Sequence, residues 1–215
     1  MAISEDNLKS IREEYEDHPL ELSQLRSDPL DQFEYWFSQA LEAQAMEPNA
    51  MVLATSKIDT PKARYVLFKG LEDGGLIFHT HYESAKAKEI ETNNAVAAVI
   101  YWREIHRQVR VEGRVEKASK EISDNYFHTR PRGGQLSAIA SPQSQVIESR
   151  KVIEEKIKDL DKDYGGSKIN RPDNWGGYLI KPTTWEFWQG RRNRTHDRFR
   201  YESVNDKWTI SRLAP

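Results

Sequence analysis

Apolar residues recur along this chain at two different spacings, which separate predicted helices from predicted strands. Within residues 28–41, Leu30, Phe33 and Phe37 fall on one helical face, and Asp28-Pro29 supplies a side-chain cap followed by proline at the first helical position. This pattern predicts an amphipathic helix of about four turns. Similar stripes and caps predict helices at residues 84–91, 119–130 and 146–164, the last closed by Gly165-Gly166.

Short apolar and β-branched runs, bounded by turn-forming residues, predict strands in much of the remaining chain. The clearest is Gln108-Val-Arg-Val-Glu-Gly-Arg-Val115, whose period of two is typical of a half-buried strand. The predicted strands cover residues 51–55, 63–68, 76–80, 95–102, 108–115, 175–181, 184–188, 198–203 and 207–213. Because the strands come in runs and do not alternate one for one with helices, the pattern favours an α+β, mainly β fold: an antiparallel barrel with helices packed outside.

With 215 residues, the chain is long enough for one domain with a sizeable core. Residues 1–24 are charged and only weakly periodic, so we predict a mobile N-terminal arm or lid there and a single domain at 25–215. No apolar run reaches membrane-spanning length, and residues 1–17 lack the features of a signal peptide. We therefore expect a soluble protein with no membrane partner.

The charge balance and the lack of cysteine limit the chemistry open to the chain. Lys and Arg total 32 against 34 Asp and Glu, so the whole chain has no general attraction for nucleic acid and any anion site must be local. Without cysteine, disulfides, thiolate metal sites and cysteine nucleophiles are excluded. His79 and His81 share a strand face but lack a third ligand at suitable spacing, so no metal site is expected. The composition suits a cytoplasmic location.

The segment at residues 185–199 concentrates two tryptophans, four arginines and one histidine between two predicted strands. Arginine offers a rigid fork of donors to anionic oxygens, histidine exchanges a proton near neutral pH, and tryptophan supplies a flat wall for a ring. Together these side chains predict a site for an aromatic, phosphorylated molecule. Two alternatives remain open at this point, which are a solvated loop and a nucleic-acid module that uses the five arginines of residues 191–200.

Further cations offer phosphate sites, because no glycine-rich nucleotide loop of the GxGxxG or GxxxxGK type occurs. Arg64 and Lys69 stand five residues apart on a predicted strand, which places them on opposite faces. Ser84-Ala-Lys86 lies at a predicted helix start, where free amides favour a phosphate. Tyr126 and Arg130 are four apart on one predicted helical face, a spacing that can grip an anion. The simpler alternatives are that Lys86 is an ordinary surface lysine and that Tyr126 packs in the core.

The order of these segments resembles the pyridoxine/pyridoxamine 5'-phosphate oxidase family, from about Arg12 to the last residue. The segments that carry the resemblance are Arg64-Tyr-Val-Leu-Phe-Lys69, Ser84-Ala-Lys86, Arg107-Gln-Val109, Tyr126-Phe-His-Thr-Arg-Pro-Arg132, Ser141-Pro-Gln-Ser144, Trp175-Gly-Gly177, Phe187-Trp-Gln-Gly190, Arg194-Thr-His-Asp-Arg-Phe199 and Arg212-Leu-Ala-Pro215. Each piece is short, but their shared order and spacing make the resemblance specific.

The resemblance implies an FMN enzyme of the split-barrel fold, working as a homodimer with FMN at the subunit interface. Such an enzyme oxidises pyridoxine 5'-phosphate or pyridoxamine 5'-phosphate to pyridoxal 5'-phosphate and reduces O2 to H2O2. By the family pattern, the residues that line FMN are Arg64, Tyr65, Val66, Leu67, Phe68, Lys69, His79, Thr80, Lys86, Gln108, Gln143, Ser144, Trp188 and Arg198. The residues that bind substrate are Lys69, Tyr126, Arg130, Gly134, Arg194, Thr195 and His196, with Arg194 and His196 as the catalytic pair at the pyridine ring.

The chain departs from the family pattern at three positions. Ala85 stands where a second basic residue is usual, Gly134 replaces a serine beside the substrate phosphate, and Thr195 replaces a common leucine. Weaker flavin binding is expected unless Lys88 or the partner subunit compensates, and weaker substrate binding is expected at Gly134, which offers only its backbone amide. These departures leave a second hypothesis open, an FMN-binding split-barrel protein without oxidase activity. The sequence assigns no role to Arg191-Arg192.

Overall fold

The computed structural model describes residues 9–11, 14–205 and 207–215, and Arg12, where the family resemblance begins, lies outside them. Within the described residues there are five α-helices: α1 (Pro29–Glu42), α2 (Ala85–Thr92), α3 (Lys120–Thr129), α4 (Arg132–Ala140) and α5 (Arg150–Tyr164). The nine strands are β1 (Ala50–Lys57), β2 (Thr60–Leu67), β3 (Leu71–Glu72), β4 (Gly75–His81), β5 (Ala95–Trp102), β6 (Arg107–Lys117), β7 (Trp175–Gln189), β8 (Asp197–Val204) and β9 (Lys207–Leu213). Short 3-10 helices lie at Leu22–Gln24, Arg103–Ile105 and Arg192–Arg194.

The strands are paired in the order β2-β1-β5-β6-β7-β4-β3, and β8 and β9 continue from β7. The pairs β1 with β2, β3 with β4, β4 with β7, β7 with β8 and β8 with β9 are all antiparallel. The α+β, mainly antiparallel organisation expected from the sequence is therefore confirmed. No helix in the described part of the chain is both long enough and apolar enough to span a membrane.

The helix boundaries follow the capping residues closely. Asp28, Ser84 and Ser119 accept hydrogen bonds from backbone amides in the first turns of α1, α2 and α3, which satisfies donors that a helix start leaves unpaired. Gly165 ends α5 in the left-handed conformation, with a φ of 51°. The expected start of α5 near Val146 is wrong, because Val146 is fully exposed and the helix begins at Arg150.

One further expectation is corrected, and one helix is added. The strands expected at 175–181 and 184–188 are one continuous strand, β7, which passes through Pro182. Helix α4 was not predicted from the sequence. The end of the preceding helix before Pro131 is confirmed, because α3 ends at Thr129, and Pro131 also occupies the N-cap of α4, where its missing N–H is not needed.

Packing divides the chain into two compact units. The first unit contains Met1–Pro48, Val99–Val111 and Thr184–Pro215, and its buried side chains include a cluster of large aromatic rings. In that cluster Phe33 lies 5.5 Å from Trp185, and Trp36 meets Phe187 edge-on at 5.2 Å. Each such ring buries a large apolar area, so these contacts account for much of the unit's cohesion.

The second unit contains Asn49–Ala98 and Glu112–Thr183. One of its hydrophobic clusters is formed by residues of α3, α4, the connection between α5 and β7, and the start of β7, namely Phe127, Leu136, Ala138, Ile169 and Trp175. The partly buried Ile157, Leu160 and Tyr164 of α5 pack against this cluster. The division of the chain into a lid at 1–24 and one domain at 25–215 stays a prediction.

Candidate active site

The second unit contains a pocket of about 320 Å³. It is lined by Arg64, Tyr65, Val66, Leu67, Lys69, His79, Thr80, Lys86, Tyr126, Arg130, Gln143 and Trp175. Eleven of these twelve residues are site residues predicted from the sequence, and Trp175 is the addition. Residues from β2, β4, α2, the C-terminal end of α3 and the start of β7 thus meet in one cavity, although they are spread over more than a hundred positions of the chain.

Three polar side chains and one backbone amide form a hydrogen-bonded row on one wall of this pocket. Lys86 Nζ donates to Thr80 Oγ1 at 3.1 Å, and the Thr80 hydroxyl donates to Gln143 Oε1 at 2.9 Å. Gln143 Oε1 also accepts from the His81 amide at 3.1 Å. Lys86 lies in the first turn of α2, is almost buried, and its pKa is lowered by that burial and by the nearby Arg64. An anion that entered the pocket would relieve this repulsion.

Arg64 is held at the pocket wall by a buried carboxylate. Its guanidinium donates to Glu89 Oε2 at 2.7 Å and to the Leu53 carbonyl at 3.1 Å. Glu89 is 3% exposed and also pairs with Lys62 at 3.0 Å. Burial works against ionisation of Glu89, but hydrogen bonds from Thr55, Lys62 and Arg64 outweigh it and lower the pKa of this carboxyl. Glu89 therefore stays ionised and fixes the direction of Arg64.

A stack of rings faces two cations on another wall. The His79 ring centre lies 4.0 Å from that of Tyr126 and 5.5 Å from that of Trp175, the Tyr126 and Trp175 centres are 6.2 Å apart, and the three rings are nearly parallel. The Arg130 guanidinium sits 4.8 Å above the Trp175 ring, and Lys69 Nζ lies 5.9 Å from the Tyr126 ring centre. These distances fit cation–π contacts.

The electrostatics of this stack favour a negatively charged ligand. Burial, followed by the charges of Arg130 and Lys69, lowers the pKa of His79 to about 4, so its ring is neutral near pH 7. Arg130 Nη1 is buried and has no hydrogen-bond partner among the described residues. A buried guanidinium N–H without a partner costs free energy that a phosphate oxygen would recover.

The structure changes the expectation for Arg64 and Lys69. The two cations were expected on opposite faces of one strand, but both line the same pocket. The reason is that β2 ends at Leu67, so the alternation of faces does not continue to Lys69. Phe68, between them, is buried and its amide donates to the Asn49 carbonyl at 2.8 Å.

Ser144 and Gly134 belong to the second unit but lie outside the lining of this pocket. Ser144 is exposed and has a φ of 70°, at the end of the turn that carries Gln143. The amide of Gly134 donates to the Pro131 carbonyl at 2.8 Å, so it is already engaged in the first turn of α4. A Cβ at Gly134 would lie 3.5 Å from Arg130 Nη2, an ordinary contact distance.

The other predicted site residues, Gln108, Trp188, Arg194, Thr195, His196 and Arg198, belong to the first unit. There His196 packs 4.6 Å from Trp188 and meets Tyr15 at 5.5 Å. Its Nδ1 accepts a hydrogen bond from the Arg191 amide at 3.1 Å. Burial, and then the charges of Arg194 and Arg198, lower the pKa of His196.

Arg194 ends the short 3-10 helix Arg192–Arg194 in the same loop, and Thr195 follows it. Asn193 and Arg194 have φ values of 55° and 61°, a left-handed pair that turns the Arg194 side chain to within 5.9 Å of the Tyr15 ring. Both Arg194 and Thr195 are exposed, and the Thr195 hydroxyl donates to the Arg192 carbonyl at 2.9 Å. Gln108 is half-buried on β6.

Arg198 makes a two-pronged ion pair. Its Nε and Nη2 donate to the two carboxylate oxygens of Glu186 at 2.9 and 3.1 Å, and its Nη1 donates to the Ala214 carbonyl at 2.9 Å. The bonds to Glu186 raise the pKa of Arg198. Arg110 shares the same carboxylate at 3.2 Å.

Arg191 has contacts that the sequence did not reveal. Its guanidinium donates to Asp17 at 2.7 Å and to Asp197 at 2.6 Å. Arg198 pairs with Glu186, and Arg200 pairs with Glu202 at 2.9 Å. Three of the five arginines of residues 191–200 are therefore in ion pairs. Such pairing counts against a basic surface patch for nucleic acid.

Comparison with known proteins identifies the family. Residues 37–162 match the family model described as "Pyridoxamine 5'-phosphate oxidase", and residues 175–215 match the "Pyridoxine 5'-phosphate oxidase C-terminal dimerisation region". The chain belongs to the pyridoxine/pyridoxamine 5'-phosphate oxidase family. A member named "Pyridoxine/pyridoxamine 5'-phosphate oxidase" from Salinibacter ruber is 48% identical over 212 residues, which cover 97% of this chain and 99% of the relative.

Two solved structures show how far this family fold extends. PhzG from Burkholderia lata, in complex with tetrahydrophenazine-1-carboxylic acid, superposes with a TM-score of 0.87 at 28% identity and covers 93% of this chain and 99% of its own. A pyridoxamine 5'-phosphate oxidase-related, FMN binding protein from Nostoc punctiforme gives a TM-score of 0.69 at 19% identity over 85% of this chain and 97% of its own. The predicted split-barrel class of the family is thus confirmed.

Proposed function

We propose that this chain is an FMN-dependent oxidase that converts pyridoxine 5'-phosphate and pyridoxamine 5'-phosphate to pyridoxal 5'-phosphate, with O2 reduced to H2O2. Membership of the family and the names of its near full-length relatives support this activity. The observation in the structure that carries it is the second-unit pocket, where Lys69 and the unpartnered Nη1 of Arg130 lie beside a stack of flat rings. Such a pocket suits a flat, phosphorylated ligand.

The donor set of the pocket also fits FMN. Arg64 and Lys86 would hold its phosphate, and the Thr80 hydroxyl and Gln143 amide would bind polar edges of the cofactor. With Ala85 beside it, Lys86 is the one cation of α2 among the residues that line the pocket. When bound, FMN accepts two electrons from the substrate and passes them to O2.

We assign Lys69, Tyr126 and Arg130 to the substrate phosphate. Arg130 can turn two N–H groups toward a phosphate oxygen, while the Tyr126 hydroxyl can donate a third bond. Gly134 contributes space there and no hydrogen bond, because its amide is taken by Pro131. These contacts would anchor the part of the substrate that does not react, which orients the reacting carbon.

Arg194 and His196 are assigned to the pyridine ring of the substrate. Arg194 would stabilise negative charge on the ring oxygen, and His196, neutral near pH 7, would donate a hydrogen bond from Nε2. In the overall reaction the alcohol carbon of pyridoxine 5'-phosphate loses two electrons and two protons to become the aldehyde. With pyridoxamine 5'-phosphate, water supplies the aldehyde oxygen and ammonia leaves.

A homodimer with FMN at the subunit interface is part of the proposal. The match of residues 175–215 to a dimerisation region supports the dimer. Exposed apolar side chains on β2, Tyr65 at 75% and Leu67 at 41%, are suited to burial against a second subunit. A cytoplasmic location stays a prediction from composition.

The deciding experiment is aerobic incubation of FMN-loaded protein with pyridoxine 5'-phosphate, following pyridoxal 5'-phosphate and peroxide together. We expect both products in equal amounts, and almost none with unphosphorylated pyridoxine, which lacks the group that Lys69 and Arg130 would bind. Heat-killed protein is the control. Yellow protein that forms no product above that control would contradict the oxidase and favour an FMN-binding protein of another function.

A further inference from the structure

Arg191 lies outside every residue set assigned above to flavin or substrate, yet it touches the loop of His196 in two ways. Its backbone amide donates to His196 Nδ1 at 3.1 Å. Its guanidinium donates to Asp17 at 2.7 Å and to Asp197 at 2.6 Å. The main chain and side chain of one residue therefore connect the imidazole to two carboxylates.

The amide contact determines which imidazole nitrogen carries the proton. A neutral imidazole has one N–H and one acceptor nitrogen, and the partner of one nitrogen decides the state of the other. Because the Arg191 N–H can only donate, Nδ1 must be the acceptor, and the proton of the neutral ring is on Nε2. His196 is thus a hydrogen-bond donor through Nε2 and has no free acceptor nitrogen.

The carboxylates hold Arg191 from two sides. Asp197 is 7% exposed and also accepts from the Leu20 amide at 3.0 Å and from Arg212 at 2.6 Å, so its position is fixed independently of Arg191. Burial works against ionisation of Asp197, but these bonds outweigh it and lower the pKa of its carboxyl. Asp17 comes from the segment that also carries Tyr15, which packs on the His196 ring.

We propose that Arg191 is a positioning residue whose side chain, held between Asp17 and Asp197, keeps its own amide on His196 Nδ1 and thereby fixes His196 as an Nε2 donor toward the substrate. The proposal rests on the proposed function, in which His196 faces the pyridine ring. Arginine is suited to this role because its planar fork can reach two carboxylates at once, whereas the single ammonium of lysine cannot hold both in the same geometry.

The chain offers a matched control for this role. Arg191→Ala and Arg192→Ala each remove one positive charge from adjacent positions of the same loop. The Arg192 side chain is exposed. The hydrogen bond from the Thr195 hydroxyl is accepted by the backbone carbonyl of Arg192, which the substitution retains. Asp17→Asn removes the charge of one of the two carboxylates that bind the Arg191 side chain, without any change in the loop itself. Arg191→Lys keeps the charge and loses the fork.

The first measurement is the tautomer of His196 in FMN-loaded protein labelled with ¹⁵N-histidine, by two-bond ¹H–¹⁵N correlation at a pH where the ring is neutral. The signal is assigned by its loss in His196→Gln. We expect the pattern of an Nε2–H ring in wild type and Arg192→Ala, and averaging between both tautomers in Arg191→Ala. A wild-type ring protonated on Nδ1, or an unchanged pattern in Arg191→Ala, would overturn the proposal.

The second measurement is kcat/KM for pyridoxine 5'-phosphate. We expect a fall of about tenfold in Arg191→Ala, a smaller one in Arg191→Lys and Asp17→Asn, and less than about twofold in Arg192→Ala, as suits loss of a charge-assisted contact one step removed from substrate. Equal kinetics in the two alanine variants would count against Arg191. The tautomer of His196 is measured without turnover. An inactive wild type would therefore contradict the proposed function, while the tautomer measurement would still decide whether Arg191 fixes the proton on Nε2. If Arg191→Ala does not fold, Asp17→Asn provides the same comparison.

Discussion

The pocket of the second unit and the His196 loop of the first unit are both rich in cations, but they use them differently. In the pocket, Lys69 and Arg130 face aromatic rings. In the loop, Arg191 and Arg198 are each bound to carboxylates. A cation on a ring face keeps most of its attraction for an anion, whereas the charge of a cation in a two-pronged ion pair is already largely neutralised by the carboxylate. The two cations named in the pocket and the two named in the loop thus have different roles.

This difference assigns anion binding to the pocket and orientation to the loop. A ligand phosphate supplies the negative charge that the pocket lacks, so affinity should depend on its cations. Arg191 and Arg198 of the loop need no such charge, because Asp17, Asp197 and Glu186 already neutralise them. Changes there should alter turnover or ring orientation and leave phosphate affinity almost intact.

Removal of Arg130 should have the largest effect. Arg130→Ala deletes the guanidinium whose buried Nη1 has no partner among the described residues, and we expect kcat/KM for pyridoxine 5'-phosphate to fall about 100-fold, mostly through KM, as is typical of a lost charge-assisted bond. Arg132→Ala is the control, since Arg132 pairs with Asp161 at 2.8 Å on the surface. Similar losses in both variants would mean that the pocket cation has no special role.

Removal of Arg194, an exposed arginine of the loop, should act on turnover. For Arg194→Ala we expect kcat to fall by about 10-fold to 30-fold, since one electrostatic contact to developing charge is lost, while the FMN content of the purified protein stays normal. Steady-state kinetics and the flavin absorbance together check this. A variant that loses its flavin yet turns over normally after reconstitution would remove Arg194 from the catalytic pair.

The glycine beside Arg130 offers a gain of binding. Gly134→Ser has room for its Cβ at 3.5 Å from Arg130 Nη2, and its hydroxyl can reach the phosphate. One added neutral hydrogen bond is worth about 1 kcal/mol, so KM for pyridoxine 5'-phosphate should fall about fivefold. In Gly133→Ser, where a Cβ would meet nothing within 4 Å, KM should not change. A higher KM in Gly134→Ser would show that the hydroxyl displaces Arg130.

The smallest effect concerns stability against pH. Folding lowers the pKa of His79 from 6.5 to about 4, so the unfolded chain binds more protons between these values and the free energy of unfolding falls as the pH drops through this window. After screening by solvent, we expect His79 to contribute less than about 1 kcal/mol. The free energy of unfolding, measured with urea at pH 7 and pH 5, should change less between the two pH values in His79→Phe than in wild type. The exposed His128 is the control, and an identical change in His128→Gln would contradict the assignment.

Local patterns were enough for most of the fold. Side-chain caps at Asp28, Ser84 and Ser119 predicted helix starts, because capping depends on adjacent residues only. The continuity of β7 depends on a tertiary contact that no local pattern contains. A side chain at Gly113 of β6 would collide with the Lys181 carbonyl, so this glycine allows β7 to pass closely just before Pro182.

The candidate site shows the same limit. Family motifs pointed to eleven of the twelve pocket residues, because each motif keeps a local spacing. Trp175 was missed as a pocket residue, since its role depends on where β7 begins. The Arg191 contact with Asp17 joins residues 174 positions apart, and neither residue belongs to a motif. Only the folded chain reveals a partner at that distance.

Asp197 has a consequence for the order in which the chain can fold during synthesis. Its carboxylate binds Leu20, made 177 residues earlier, and Arg212, made 15 residues later. The second unit is complete in the chain at Thr183, whereas the first also needs residues from Thr184 to Pro215. On the ribosome the second unit can therefore close first, and the segment around Leu20, although synthesised early, has to wait until Asp197 has been made.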